Sequence, residues 1–181
     1  MGQRGAHAAF MPSKYVFPGG AVDAADAVVD PEFPLDGLSA LRLRLNCPAQ
    51  APAPKTIAVA ALRELHEETG LTLAYPGKGD AGLRFVFRAI TPPGRSRRFD
   101  ARFLLADATW ISGDPDDFGA ASDELSHLHW IGLAHARALD LPFITEVVLA
   151  EVSHLLRGGS DAAGVPFFDN SGPIPTFRRL I

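Results

Sequence analysis

Glu64, Glu67 and Glu68 stand at spacings of three and four within the run Arg63 to Leu71, Arg-Glu-Leu-His-Glu-Glu-Thr-Gly-Leu. On an α-helix those spacings bring the three carboxylates onto one face. Like charges so placed repel, and Arg63 is the only basic neighbour in the run apart from the weakly basic His66. The acids also fall in the last turns of a helical stretch, where the helix dipole disfavours negative charge. Such a cluster calls for an external cation, and a hard divalent ion with carboxylate ligands meets that need. The bland alternative is a solvated acidic helix face. Gly70 supplies the left-handed residue that ends the helix.

The elements that must hold these residues can be read on either side. Thr56 is the expected N-cap of the acidic helix, with Ala58, Ala61, Leu62 and Leu65 as its apolar face. Upstream, Tyr15-Val16-Phe17 is a β-prone run closed by Pro18-Gly19-Gly20, where paired glycines permit positive φ and close approach of backbone to a ligand. Between Asp26 and Lys55 the chain changes character. Five prolines interrupt it, Leu38 to Leu45 has room for one or two helical turns, and its end from Pro48 to Pro54 reads as an extended linker. The stretch at about 27–55 is therefore read as a Pro-rich insertion.

Downstream, Leu71 to Ala74 is expected as a short strand and Pro76 to Gly82 as a Gly-rich turn. In Leu83 to Thr91, Phe85 and Phe87 alternate with Arg84, Val86 and Arg88, and Phe99, Ala101, Phe103 and Leu105 take one face of the next segment. These two segments are expected to pair in a mixed sheet. Arg95, Arg97 and Arg98 lie in the turn between them, either as phosphate-gripping groups or as a solvated turn. Leu125 to Ile131 reads as a strand, preceded by Asp123-Glu124. Helices are expected over Leu133 to Leu139 and Pro142 to Arg157, followed by an irregular tail at about 158–181.

With 181 residues, 47% hydrophobic and 21% charged, the chain 1–181 fits a single domain of ordinary globular composition. A formal net charge of −4 argues against nucleic-acid binding. Cys47 is the only cysteine, so no intramolecular disulfide forms, and a cytoplasmic setting is the expectation. No apolar run is long enough to span a bilayer, so no membrane partner is expected. The insertion offers a surface through which the chain could form a homodimer.

Arg63 to Leu71 resembles the second half of the Nudix box, R-E-U-x-E-E-x-G-U with U a bulky aliphatic, and meets every defined position. The first half is displaced: Gly20 is followed after five residues by Asp26, where the family usually has Glu, and 36 residues rather than seven separate Asp26 from Arg63. Together with Phe17-Pro-Gly-Gly and Arg97 to Phe103, this resembles a Nudix branch with an interrupted box that includes peroxisomal coenzyme A diphosphatases. The resemblance implies an α+β fold, an α/β/α sandwich with a mixed sheet between helices. It implies hydrolysis of a pyrophosphate bond in a nucleoside diphosphate linked to another moiety, of coenzyme A, ADP-ribose or dinucleotide type. Mg²⁺ or Mn²⁺ would be held by Glu64, Glu67, Glu68 and the Gly19 carbonyl. Arg63, Glu64, Glu67 and the late-loop Glu124 would be catalytic, Glu64 or Glu124 serving as base, and Arg95, Arg97 and Arg98 would meet a small nucleotide-type substrate. A non-catalytic nucleotide or metabolite sensor on the same fold is the rival reading.

Overall fold

The computed structural model describes residues 1–8, 10–77 and 82–181. Its principal sheet has four strands in the order β4-β3-β6-β7: β3 (Arg84–Ile90), β4 (Asp100–Leu105), β6 (Val165–Asp169) and β7 (Thr176–Leu180). β3 runs antiparallel to β4 and parallel to β6, and β6 runs antiparallel to β7. A smaller antiparallel sheet, β2-β1-β5, joins β1 (Gly2–Arg4), β2 (Tyr15–Val16) and β5 (Leu125–Ser126). The helices are α1 (Gly37–Arg42), α2 (Pro54–Thr69), α3 (Leu133–Ala136) and α4 (Phe143–Leu156). The protein is α+β.

Helices cover both faces of the principal sheet. On one face Leu43 and Ile57 pack with Phe85, Val165, Phe167 and Leu180; on the other Val148 of α4 packs with Phe87 and Ala89. Phe85 and Phe87 therefore serve opposite faces, contrary to the simple alternation of the sequence. A register irregularity between them inserts one residue into β3, and that bulge turns Phe87 over.

Four other expectations are corrected. The C-terminal tail is ordered sheet: β6 lies beside β3 inside the principal sheet. Pro166 is accommodated because β3 pairs with β6 only at Phe167 and Phe168, so the missing N–H of Pro166 falls outside that ladder. The acidic helix begins at Pro54 with Ala53 as its N-cap, not at Thr56, because proline's fixed φ suits the first helical turn. Leu71 to Ala74 forms only an isolated bridge, Leu73 to Ile111, and beyond Ser126 the expected strand does not continue, His127 having φ of 51°. Most of the Pro76 to Gly82 turn lies outside the described residues.

The insertion is built into the core. Phe33 is fully buried and stacks against Trp110 and Tyr75 at ring-centroid distances of 5.1 and 5.8 Å. Leu35 bridges to Leu83, and the Ser39 hydroxyl accepts the N–H of Phe85 at 2.7 Å. Buried Arg88 of β3 donates to the carbonyls of Leu45 and Asn46 while Asp100 takes its other nitrogens at 2.7 Å. The Pro48 to Pro54 end carries a turn in which Ala51 N–H donates to Pro48, so it is not extended throughout. No helix among the described residues is long and apolar enough to cross a membrane.

Candidate active site

β2 ends three residues before Gly19, and this short path delivers the glycine pair to the C-terminal half of α2. Gly19 adopts φ of 155°, a conformation L-residues rarely take, and its N–H donates to Glu68 Oε2 at 2.7 Å. Gly20 lies against Glu64. A Cβ added at Gly20 would stand 2.2 Å from Glu64 Oε1, so only glycine leaves the carboxylate its place. At the helix end Gly70 takes φ of 76°, and its N–H donates to His66. The following chain returns: Ser122 N–H donates to the Glu67 carbonyl at 2.8 Å, which brings the loop before β5 over the last turn of α2.

Arg63 ties both halves together. Its Nε and one terminal nitrogen donate to the two oxygens of Asp26 at 3.0 and 3.2 Å. The other terminal nitrogen donates to Glu64 Oε1 at 2.8 Å and Glu67 Oε2 at 3.0 Å, and the Ala21 carbonyl accepts a further bond at 2.9 Å. A planar guanidinium can serve five acceptors at fixed angles, which a lysine cannot. Asp26, foremost, and Glu64 raise its already high pKa, so the charge is permanent. Asp26 is buried and closes a capping box by accepting the N–H of Asp23; its carboxyl is held below the usual range, chiefly by Arg63. One Asp26 side chain thus both closes the capping box and binds Arg63.

The three glutamates occupy different environments. Glu67 is half exposed, Glu64 mostly covered, and Glu68 is 2% exposed. Burial pushes the Glu68 carboxyl up to about 7; the Gly19 N–H opposes this, the charges of Glu64 and Glu124 add to it, and Arg4 opposes it. Glu124, exposed in the turn just before β5, is therefore within electrostatic reach of the buried acid. Arg4 enters the same neighbourhood because it pairs with Leu125 across β1 and β5, and its Nε is buried with no hydrogen-bond partner. The sequence run before Phe17 gave little sign of Arg4; only the β1–β5 pairing brings it in.

The donor set is chemically suited to a hard divalent cation: carboxylate oxygens from Glu64, Glu67 and Glu68, with Glu64 and Glu67 already sharing one positive nitrogen. As the side chains stand, no group of three or more His, Cys, Asp or Glu among the described residues is arranged to hold a metal ion. The reason is visible in the bonds: Arg63 holds one oxygen each of Glu64 and Glu67, and Glu68 is turned to Gly19. The contact that joins Gly19 to the helix is thus through its N–H and Glu68; its expected role was through the carbonyl. Arg95, Arg97 and Arg98 sit on the exposed β3–β4 turn, where Arg98 donates to the Thr91 carbonyl at 3.0 Å. His66 and His127 are exposed, and His129 is half-buried with its ring edge-on to Tyr15.

No family model matches the chain. It is 36% identical over 94 residues to acyl-coenzyme A diphosphatase NUDT19 of Gallus gallus, a match covering 41% of this chain and 25% of that protein. The chain thus matches about a quarter of that relative's length. Among solved structures it is similar to a NUDIX hydrolase from Alicyclobacillus acidocaldarius, with TM-score 0.46 and 22% identity over 82% of this chain and 80% of that one.

Proposed function

We propose that this chain, a relative of the Nudix hydrolases whose kin include an acyl-coenzyme A diphosphatase, hydrolyses the pyrophosphate bond of a nucleoside diphosphate linked to another moiety. A coenzyme A derivative is the substrate class the relative favours. One observation carries the reading: Arg63 binds Asp26 from the first half-box and Glu64 and Glu67 from the second, so a signature split by 36 residues is a single assembly in space. A vestigial sensor would not need to keep that mutually repulsive set of carboxylates in register.

Glu64, Glu67 and Glu68 would hold Mg²⁺ or Mn²⁺, which when bound neutralises diphosphate charge and makes a water nucleophilic. The chain's own residues do the rest. Gly20 gives Glu64 room, Arg63 aims Glu64 and Glu67, and the Gly19 N–H fixes one oxygen of Glu68. Arg4, whose buried Nε has no hydrogen-bond partner and whose charge reaches Glu68, would supply positive charge toward a bound diphosphate. Glu124 or Glu64 would take the proton from the attacking water. The P–O–P bond breaks and two phosphomonoesters leave, the nucleoside phosphate and the phosphorylated arm.

The test is a hydrolysis screen of coenzyme A, acyl-coenzyme A, ADP-ribose, NADH, dinucleoside polyphosphates and nucleoside triphosphates with each metal, products identified by mass. Turnover of a coenzyme A compound with release of two phosphomonoesters is expected. Background rates on every compound, alongside tight binding of one nucleotide, would establish the sensor reading instead.

A further inference from the structure

Two arginines outside the carboxylate assembly have no acid to answer them. Arg137 and Arg157 each directly follow the last residue of a helix, α3 and α4, and with Leu133, Ala134, Ser153 and Leu156 they line an open cleft of about 400 Å³ between the two helices. A cation at a helix C-terminus is ordinary, since it meets the negative end of the dipole. Two of them facing one concave space are a different matter. Arg63, Arg88, Arg102, Arg178 and Arg179 each have a carboxylate partner, whereas neither Arg137 nor Arg157 makes an ion pair or a side-chain hydrogen bond among the described residues. Asp140 and Glu151, acids on the same stretch of chain, are already bound by Lys14 and Arg179. No carboxylate among the described residues lines the cleft, and the Ser153 hydroxyl donates to the Leu149 carbonyl at 2.7 Å. Leu156 is 67% exposed, so apolar surface lies open beside the two charges.

We propose that the cleft between α3 and α4 binds a phosphate monoester that carries a short aliphatic chain. Two guanidiniums match a dianion in charge, and the planar edge of each can donate to two phosphate oxygens. The chain of the ester would then cover Leu133 and Leu156 and remove their apolar surface from water. Inorganic phosphate would satisfy the arginines alone, and a neutral alcohol the leucines alone. The space is concave and of the size of small-molecule sites, so a soluble ester suits it better than the flat face of a bilayer does. None of the lining residues belongs to the Arg63 assembly, and the site stands independently of the hydrolase reading.

The probe is hexyl phosphate, titrated without metal into the whole isotope-labelled chain and followed by NMR, with inorganic phosphate and hexanol as comparisons. Saturable shifts are expected at the amides of Ala134, Arg137, Ser153 and Arg157, with hexyl phosphate binding at least about tenfold more tightly than inorganic phosphate and hexanol not saturating. Arg137 and Arg157 are exposed, so Arg137→Gln and Arg157→Gln should keep the circular dichroism unchanged and each weaken binding by about tenfold. Leu156→Ser should bring hexyl phosphate down to the level of inorganic phosphate. Shifts centred on Gly19, Glu64 or Glu67 would place the ester at the carboxylates and overturn the proposal. Equal affinity for the ester and inorganic phosphate, or undiminished binding in the arginine variants, overturns it too. So does sedimentation with phosphatidic acid vesicles in a chain that does not bind the soluble ester. The titration needs neither metal nor turnover, so a chain inactive on every diphosphate would fail the hydrolase reading and leave this site to be decided by its own binding.

Discussion

Asp26 and Arg63, 37 positions apart, are joined by two parallel charge-assisted hydrogen bonds at 3.0 and 3.2 Å. Asp26 is almost wholly buried, so removing it leaves part of a guanidinium without its principal acceptor in a covered place. Asp26→Ala is expected to cost about 3 kcal/mol of stability, as for other broken buried pairs, and to misaim Glu64 and Glu67. The pH dependence has a definite sign. The folded-state carboxyl is held below its ordinary value of 3.8, so its contribution is present above that value and is lost as pH falls through the lowered folded pKa. Urea denaturation between pH 2 and 7 should show part of the acid limb missing in the variant.

Gly20→Ala tests the cradle around Glu64. The added methyl would meet Glu64 Oε1 at 2.2 Å, and a carboxylate on a flexible side chain can swing away at little cost to the fold. Thermal unfolding should change by only a few degrees. Turnover should fall by about a hundredfold, because an ångström of misplacement at a reacting centre costs that much. Unchanged turnover would mean that Glu64 stands away from the chemistry.

The acidic helix, its Gly70 stop, the paired β3 and β4 and the split half-boxes were all legible, since each rests on local spacing: three and four for one helix face, two for strands, glycine at a left-handed end. What escaped the sequence is non-local. The bulge at Phe85/Phe87 depends on which helices cover the two sheet faces, and the strand character of Val165 to Leu180 depends on β3 being there to receive it. Prolines concealed Pro166 as a strand residue and made the stretch at about 27–55 read as an insertion, although the helical turns expected within Leu38 to Leu45 are there as α1. Arg4 joined the site only through cross-strand pairing with Leu125.

Glu67 and Glu68 should respond differently in stability while both lose activity. Glu67 is 53% exposed and its side chain accepts from Arg63, so Glu67→Gln should leave the stability within about 0.5 kcal/mol and reduce turnover by at least about a hundredfold. Glu68 is buried, and its carboxyl titrates at about 7 when folded against 4.5 when free. A raised carboxyl pKa means the folded state holds its proton longer, so stability declines as pH rises from about 4.5 to 7. Glu68→Gln removes that penalty: without metal it should melt higher than the unsubstituted chain at pH 8 and no higher at pH 4. Added Mn²⁺ should stabilise the unsubstituted chain and not the variant, which differential scanning fluorimetry reads directly.

The insertion gives the last test, because a spacer and a core element differ in what their loss does. Phe33 has no exposed surface and packs edge-on to Tyr75 and against Trp110, next to Ala58 of α2 and Leu83 beside β3. Truncation to alanine there leaves a cavity that the surrounding rings cannot fill, so Phe33→Ala should destabilise by about 3–5 kcal/mol. Deleting Glu32 to Pro52 goes further. It strips Leu43 from the packing against Phe85 and Phe167, and it takes the Leu45 and Asn46 carbonyls from the buried guanidinium of Arg88. The deleted chain is expected to lose its near-ultraviolet circular dichroism and its cooperative urea transition. A cooperative transition with an unchanged midpoint would show instead that the 36 residues between the half-boxes are an appendage.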